Sequence, residues 1–449
     1  MDNAAAPPSS GAAGEEMATA GALPDDLLDE ILLRMPARSI LRCRAVCKAW
    51  RSRTSHPYFL RAHAARSRII AAAVVDTTAI PDGEFRTTIS IRPLGDGDGD
   101  RSGAAVSSSS SFASVRFGSR PFVLGSWDGV VCLVPAGVVR PLSRIDRYVL
   151  VNPLTKACTS VPPPATRGIV ICGYAHPTTS RYHLLHADDA YPYNHMAAAT
   201  IRILRVGEKN NVWRKIARHP APACVESRTY IRFGGAPPVS LHGCLHWLVA
   251  PLSAASARPL LSVFDMEREE FRQMDAPEQW ARHGNLPHMM GVQIARLSGK
   301  LCAFVNEPSA SALGMWTLED YSDPSSWRME RSIDYSRHGA GSRNIARTFR
   351  NRFSAATTAV EVLPDGVSGN GDVGGGGEEE IMFLFNQFDT REAVYNVGRA
   401  AWRWRRILPP PTRRVMAHKE CMLPREVSFG GAAHFVEESD IGGHRCICI

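Results

Sequence analysis

His242, Cys244 and His246 come closest to a metal-binding pattern in this sequence. Imidazole and thiolate groups are the ligands that zinc prefers, and two histidines four residues apart share one face of a helix. Gly243 and the alternating apolar residues around it predict a β-hairpin instead, on which these side chains do not converge. We therefore expect a structural role for all three and no metal.

The other patterns that carry chemistry are incomplete. Cys446 and Cys448 form one Cys-x-Cys pair, without a second pair at the spacing of a metal site. The glycine run 371–377 lacks the Lys and Ser/Thr of a phosphate-binding loop, and no Gly-x-Ser-x-Gly nucleophile turn occurs. We expect no catalytic residue, no metal and no cofactor.

The stretch from Leu23 to His63 predicts three helices. Pro24 suits a first helical turn and Pro36 ends that helix, while Ser39 is a good N-cap for the second. The second helix is expected to run through Trp50, and a third short helix follows Pro57. The polar face of the second helix carries Arg38, Arg42, Arg44, Lys48 and Arg51.

Three helices of this length bury little apolar surface on their own. The stretch nevertheless holds more large apolar residues than one small core can use, and each fully buried side chain of this kind contributes ~1.5–3 kcal/mol. A partner helix lying in an apolar groove would cover the surplus.

The stretch resembles an F-box, with LPDDLL at 23–28, ILLRMP at 31–36, SILRCRAVCKAWR at 39–51 and PYFL at 57–60. Met35 stands where Leu is usual. The resemblance implies docking to the Skp-type adaptor of a Skp–cullin–F-box ubiquitin ligase, and through the adaptor to a cullin. By position, the contact surface or its support would comprise Leu23, Pro24, Leu27, Ile31, Leu32, Pro36, Ser39, Ile40, Cys43, Val46, Cys47 and Trp50.

Composition restricts the class of protein. The chain has 449 residues, a formal net charge of +8 and 11 cysteines. Several cysteines lie in apolar runs, as free thiols of a reducing compartment do, so we expect the cytoplasm or the nucleus. We expect no signal peptide, no membrane span and no membrane partner, because no apolar run approaches 18 residues. The scattered arginines do not favour nucleic acid as a partner.

Beyond residue 67 the sequence predicts a β-rich repeat. Hairpins with Gly in the turn alternate with a second strand pair. Equivalent places about fifty residues apart are occupied by Val151, Ile203, Phe264, Trp316 and Tyr395, with the last spacing lengthened by the glycine-rich insert at 371–377. A β repeat of this length is typical of propeller blades. The tryptophans at repeat positions are expected to pack between blades, not to stack on a ligand: Trp213, Trp327, Trp402 and Trp404.

The predicted fold class is therefore α+β and multidomain: a small helical bundle followed by a mostly β, kelch-like propeller of about six blades. We expect a disordered tail over 1–22, the helical domain over 23–66 and the propeller-like domain over 67–449, with flexible inserts at 95–111 and 365–380. The sixth blade is expected to combine the strands after Ile69 with residues 426–438 near the C-terminus.

This half of the chain resembles the F-box-associated domain found behind many plant F-box motifs. The matching segments are SWDGVVCL at 126–133, VNPLTK at 151–156, GYAHP at 173–177, VSLHGCLHWL at 239–248, SVFDMEREEF at 262–271 and LSGKLC at 297–302. The resemblance covers roughly residues 120–410 and implies a domain that recognises a protein substrate.

The expected function is a non-catalytic ligase subunit that binds a protein target for ubiquitination. An arginine-rich segment suits an acidic or phosphorylated target, and its candidate residues are Arg337, Arg343, Arg347 and Arg350. A solvated basic loop is the simpler explanation and is preferred. The alternative functions are a propeller-fold enzyme and a nucleic-acid-binding regulator.

Overall fold

The protein begins with four helices. The computed structural model describes residues 24–66, 69–81, 83–93, 112–135, 145–188, 200–208, 210–216, 229–231, 238–251, 260–282, 291–336, 348–349, 357–362, 380–385, 391–406, 413–423, 429–430, 438–441 and 444–448. The helices are α1 (Asp25–Arg34), α2 (Ala37–Cys43), α3 (Lys48–Ser55) and α4 (Pro57–Arg66).

The second predicted helix is in fact two. Ser39 is not its N-cap, because Pro36 already lies at that position and the helix starts at Ala37. The helix stops at Cys43, and Cys47 takes an extended conformation (φ −155°, ψ 166°) in which its Sγ accepts a hydrogen bond from the backbone N–H of Trp50. Because the cap begins a separate helix, the apolar residues spaced three and four apart across α2 and α3 do not lie on the face of a single helix.

The strands form six sheets in the described part of the chain. Blade 1 contains β4 (Pro121–Trp127), β5 (Val130–Pro135), β6 (Tyr148–Asn152) and β7 (Ala157–Val161). Blade 2 contains β8 (Gly168–Ala175), β9 (Tyr182–Asp188), β10 (Ile201–Arg205) and β11 (Arg214–Lys215). Blade 3 contains β12 (Thr229–Ile231), β13 (Val239–Leu241), β14 (Cys244–Pro251), β15 (Leu260–Asp265) and β16 (Glu270–Asp275), followed by the short helix α5 (Gln279–Arg282).

Blade 4 contains β17 (Val292–Leu297), β18 (Lys300–Glu307), β19 (Ala312–Leu318) and β20 (Trp327–Asp334), with a 3₁₀ turn at Pro324–Ser326. Blade 5 contains β21 (Thr357–Val362), β22 (Glu380–Phe385), β23 (Arg391–Asn396) and β24 (Ala401–Arg406). Blade 6 contains β1 (Ile69–Ala79), β2 (Phe85–Pro93), β3 (Phe112–Phe117), β25 (Arg413–Lys419), β26 (Glu438–Ile441) and β27 (His444–Cys448).

The predicted repeat is confirmed strand by strand. Val151, Ile203, Phe264, Trp316 and Tyr395 lie on β6, β10, β15, β19 and β23, and each of these strands is next to the last strand of its blade. Neighbouring sheets contact one another through edge strands, with β25 against β4, β4 against β8, and β17 against β21. The chain thus has the propeller-like architecture that its spacing predicts.

Local turn chemistry explains why the hairpins form where they do. Asp128 and Gly129 both have positive φ (43° and 83°) between β4 and β5, as a tight hairpin turn requires. Asn152 closes the turn after β6, where its Oδ1 accepts hydrogen bonds from the N–H groups of Leu154 (3.0 Å) and Thr155 (3.1 Å). Because neighbouring strands are antiparallel, both turns lie at one end of the ring, called the turn end below.

Blade 6 closes the ring with strands from both parts of the chain. β25 pairs with β1 in an antiparallel ladder in which Val74 lies opposite Val415. The strand that pairs with β1 is therefore Arg413–Lys419, which the sequence prediction did not include. Most of 426–438 lies outside the described residues, as do residues 1–22, the insert at 95–111 and, apart from Glu380, the insert at 365–380.

Apolar side chains fill the space between neighbouring blades. Trp402 lies between β20 and blade 5, where its indole N–H donates to the carbonyl of Asp334 (2.8 Å). Trp213 donates in the same way to the carbonyl of Pro162 of blade 1 (2.8 Å), and Trp327 is 8% exposed in the core shared by blades 3 and 4. The predicted packing role of these three tryptophans is confirmed, and the side chain of Trp404 lies outside the described ones.

Candidate docking surface on the helical unit

Helix α1 has two apolar faces. Leu32 is fully buried, in a cluster that includes Ile91 of β2 and Leu154 of blade 1. On the other side, Leu27 and Ile31 keep 53% and 44% of their surface exposed. A helix that is apolar on two sides packs against two neighbours, and the described part of the chain supplies one of them.

The segment after α1 repeats this division. Ile40 on α2 is fully buried in the same cluster, whereas Val46, in the turn between α2 and α3, is 69% exposed. Trp50 is half-buried and packs against the edge of the cluster. The break between α2 and α3 therefore places Val46 outside the core while Trp50 returns to it.

Exposed apolar surface is concentrated on the helical unit. Six large apolar residues are exposed in the described part of the chain, and four of them lie in the helical unit, residues 24–66: Leu27, Ile31, Val46 and Tyr58 (76%). The other two, Val212 and Met329, are on separate blades. Concentrated exposure of this kind marks an interaction surface. Tyr58 was missed by the sequence reasoning, although its position in the PYFL segment placed it in the third predicted helix.

The predicted docking residues fall into three groups. The exposed ones are Pro24, Leu27, Ile31, Pro36, Val46 and Cys47. The half-buried ones are Ser39, Cys43 and Trp50, and the buried ones are Leu32 and Ile40. Leu23 lies outside the described residues, as do the target-binding candidates Arg337, Arg343, Arg347 and Arg350.

Polar contacts fix the helices relative to one another. Arg53 of α3 reaches α1, where its guanidinium contacts Asp25 Oδ1 (2.7 Å) and Asp29 Oδ1 (2.9 Å). These two carboxylates raise the pKa of Arg53, Asp29 first. Arg44 donates to the carbonyl of Thr54 (2.7 Å), which ties the α2–α3 turn to the end of α3. These contacts therefore fix the relative positions of the helices and the turn that carry the exposed apolar residues.

The predicted hairpin that carries the histidines is formed by β13 and β14. His242 and Gly243 form its turn with positive φ (49° and 72°). His246 is fully buried; its Nδ1 bonds to the carbonyl of Val239 (2.9 Å) and its Nε2 to the hydroxyl of Tyr321 (2.8 Å). Burial lowers the pKa of His246 to about 4. Among the described residues no group of three or more His, Cys, Asp or Glu side chains is arranged to hold a metal ion.

One cleft of about 190 Å³ lies where blade 2 meets blade 3. Its charged walls pair with each other: Arg205 contacts Glu208 (3.1 Å), and Arg214 contacts Glu269. These pairs occupy the groups that would otherwise recognise a charged ligand. No helix in the described part of the chain is both long and apolar enough to cross a membrane.

Comparison with known families agrees with this architecture. The F-box domain model matches residues 22–62, and the F-box associated beta propeller domain model matches residues 103–362. The second match alone covers more than half of the chain. The chain belongs to the F-box proteins of the plant type, with an F-box-associated propeller-like domain.

Several proteins of Arabidopsis thaliana are similar to this chain. A putative F-box/kelch-repeat protein is 25% identical over 327 residues, which cover 67% of this chain and 69% of the relative. The F-box protein CPR1 is 23% identical over 328 residues, covering 68% and 71%. A putative F-box protein is 51% identical over 49 residues, which cover only 11% of this chain and 13% of the relative.

Among solved structures, a prolyl endopeptidase aligns with 11% identity and a TM-score of 0.33, covering 85% of this chain and 55% of the other. The N-terminal domain of Nup159 aligns with 8% identity and a TM-score of 0.29, covering 76% and 75%. Similarity at this level supports no statement about function.

Proposed function

We propose that this protein is the substrate-recognition subunit of a Skp–cullin–F-box E3 ubiquitin ligase. The observation that carries the proposal is the exposure of Leu27, Ile31 and Val46 on an F-box whose other face is already buried. A helix of a Skp-type adaptor, lying across these side chains, would remove their apolar surface from water. The adaptor would in turn connect the chain to a cullin.

The propeller is proposed to bind a protein target. The F-box packs at the turn end of the ring, because Leu154 of the turn after β6 belongs to its core. The opposite end is thereby left for a target. Strand β20 ends and β21 begins at the opposite end, and the four candidate arginines lie between these strands in the sequence.

The proposed mechanism is proximity and involves no covalent chemistry by this chain. Holding target and adaptor on one molecule raises the effective concentration of the target's lysines near the ubiquitin that other subunits deliver. Such a ligase works in the cytoplasm or the nucleus, and the location is supported by eight described cysteines that are all free thiols.

The test is binding of the purified full chain to a purified Skp-type adaptor, measured by calorimetry. The double variant Ile31→Asp with Val46→Asp is expected to lose binding, because each carboxylate would be buried against an apolar partner surface. The control places Asp at Met329 and Val212, which are similarly exposed (43% and 61%) but lie on the blades. It is expected to bind like the wild type.

Undiminished binding by the double variant would overturn the docking assignment. Absence of adaptor binding by the wild type, together with salt-dependent binding to DNA or RNA, would favour the nucleic-acid alternative.

A further inference from the structure

A short segment after the closing strand lies between the F-box and the ring. This segment, residues 419–423, is called the strap below; it begins at the last residue of β25. Its residues Cys421, Met422 and Leu423 are buried in the same cluster as Leu32 and Ile40 of the F-box. The strap therefore forms part of the surface on which the F-box helices pack.

Blade 1 holds the strap from one side. Lys419 Nζ contacts Asp128 Oδ1 (3.1 Å), and Asn152 Nδ2 donates to the carbonyl of Cys421 (3.0 Å). A side chain at Gly129 would overlap Cys421, so the strap and the β4–β5 turn are in close contact. These contacts fix the strap to the turn end of the ring.

The F-box holds the strap from the other side through one buried ion pair. Arg38 Nε of α2 lies 2.6 Å from Glu420 Oε1, a charge contact without hydrogen-bond alignment, and the backbone N–H of Arg38 donates to Oε2 (3.3 Å). The two side chains are 13% and 2% exposed. Arg38 is thus largely buried, although the sequence places it on the polar face of the predicted second helix.

A buried carboxylate that loses its cationic partner either remains as an unpaired charge in a low-dielectric core or takes up a proton, and both outcomes are unfavourable at neutral pH. Sliding or tilting of α2 on the strap would separate Arg38 from Glu420 within the core. Apolar contacts are less directional than this ion pair and distinguish less sharply between closely related orientations. The ion pair therefore selects one orientation of the F-box among those that bury similar apolar area.

We propose that Arg38 and Glu420 are positioning residues that hold the F-box in one fixed orientation on the ring, through the strap that ring closure puts in place. Exposed Leu27, Ile31 and Val46 then point in a constant direction relative to the target-binding end. That a ligase depends on this fixed orientation of the F-box rests on the proposed function. The positioning role of Arg38 and Glu420 does not rest on it.

The test is hydrogen–deuterium exchange of the full chain, comparing peptides from α2, from the strap and from β18 of blade 4. Glu420→Gln keeps the shape of the side chain and removes its charge, and Arg38→Met keeps the aliphatic stem. Each is expected to accelerate exchange in α2 and the strap about tenfold or more, with β18 unchanged. The exchanged pair, Arg38→Glu with Glu420→Arg, is expected to recover part of the protection.

The matched control is Glu319→Gln, which removes an ion pair with Lys300 whose side chains are 43% and 48% exposed on blade 4. It is expected to leave α2 at wild-type protection. Wild-type exchange of α2 in both Glu420→Gln and Arg38→Met would overturn the proposal, and so would equal acceleration in β18.

Adaptor affinity of the same variants separates this proposal from the ligase function. It is expected to change less than about threefold, because the exposed docking residues are untouched. A wild-type chain that fails to bind the adaptor would overturn the ligase function. The exchange measurement would still show whether Arg38 and Glu420 hold the F-box in place.

Discussion

Two neighbouring residues of α1 should have opposite effects when each is shortened to Ala. Leu32 is fully buried between the F-box, β2 and the strap, so Leu32→Ala leaves a cavity and is expected to cost ~2–5 kcal/mol of the free energy of unfolding. Ile31 is 44% exposed, so Ile31→Ala is expected to change that free energy by less than about 0.5 kcal/mol.

Adaptor affinity should show the reverse pattern. Complete burial of an aliphatic side chain contributes ~1.5–3 kcal/mol, and Ile31 retains roughly half of its surface for a partner to cover. Ile31→Ala is therefore expected to weaken binding by ~1 kcal/mol, about fivefold in Kd. Leu32→Ala is expected to leave the Kd unchanged in conditions where the F-box remains folded.

The assay combines urea unfolding, followed by circular dichroism, with calorimetric titration of the adaptor. If Leu32→Ala weakens binding while its unfolding midpoint stays at the wild-type value, Leu32 faces the adaptor. The assignment of the two faces of α1 would then be wrong.

Three further predictions concern the propeller. Gly207→Ala is expected to destabilise the chain by more than ~2 kcal/mol, because φ is +82° and a Cβ would overlap the carbonyl of Phe429. Gly243→Ala has open space around the added Cβ, so it is expected to cost only the ~1–2 kcal/mol of a left-handed backbone conformation. Urea unfolding compares the two variants. Tyr321→Phe leaves Nε2 of buried His246 without its partner and should cost ~1–3 kcal/mol in the same measurement. Burial holds the pKa of His246 at about 4, below the ~6.5 of an unfolded histidine. The contribution of His246 to folding stability is therefore complete above about pH 6.5 and is lost as the pH falls towards 4. Thermal melts at stepped pH values measure this loss.

The repeat could be predicted because each hairpin carries its own local signal. The Asp128-Gly129 turn and the Asn152 turn are specified within a few residues, and the strands on either side alternate predictably. The apolar face of α1 that carries Leu27 and Ile31 could likewise be predicted, because helical spacing is a local property of the sequence.

Contacts between distant parts of the chain had no such signal. Glu420 is 382 residues from Arg38, and no local pattern identifies it as the partner of α2. The closing strand 413–419 was missed for the same reason, since any β-rich run near the C-terminus could pair with β1. The helix break at Cys47 depends on a cap formed by a thiol. A thiol is an uncommon N-cap, because Ser, Thr, Asp and Asn are the residues usually found at that position.

Ring closure by β25 also has a consequence in time. The F-box leaves the ribosome first, but the strap on which it packs is made about 380 residues later than α2. At ~5–20 residues per second of synthesis, the interval is roughly 20–75 s. Throughout that interval Leu32 and Ile40 lack the strap's share of their core. In an unfinished chain the inner face of the F-box is therefore only partly covered, by Ile91 and Leu154, until the strap completes its core.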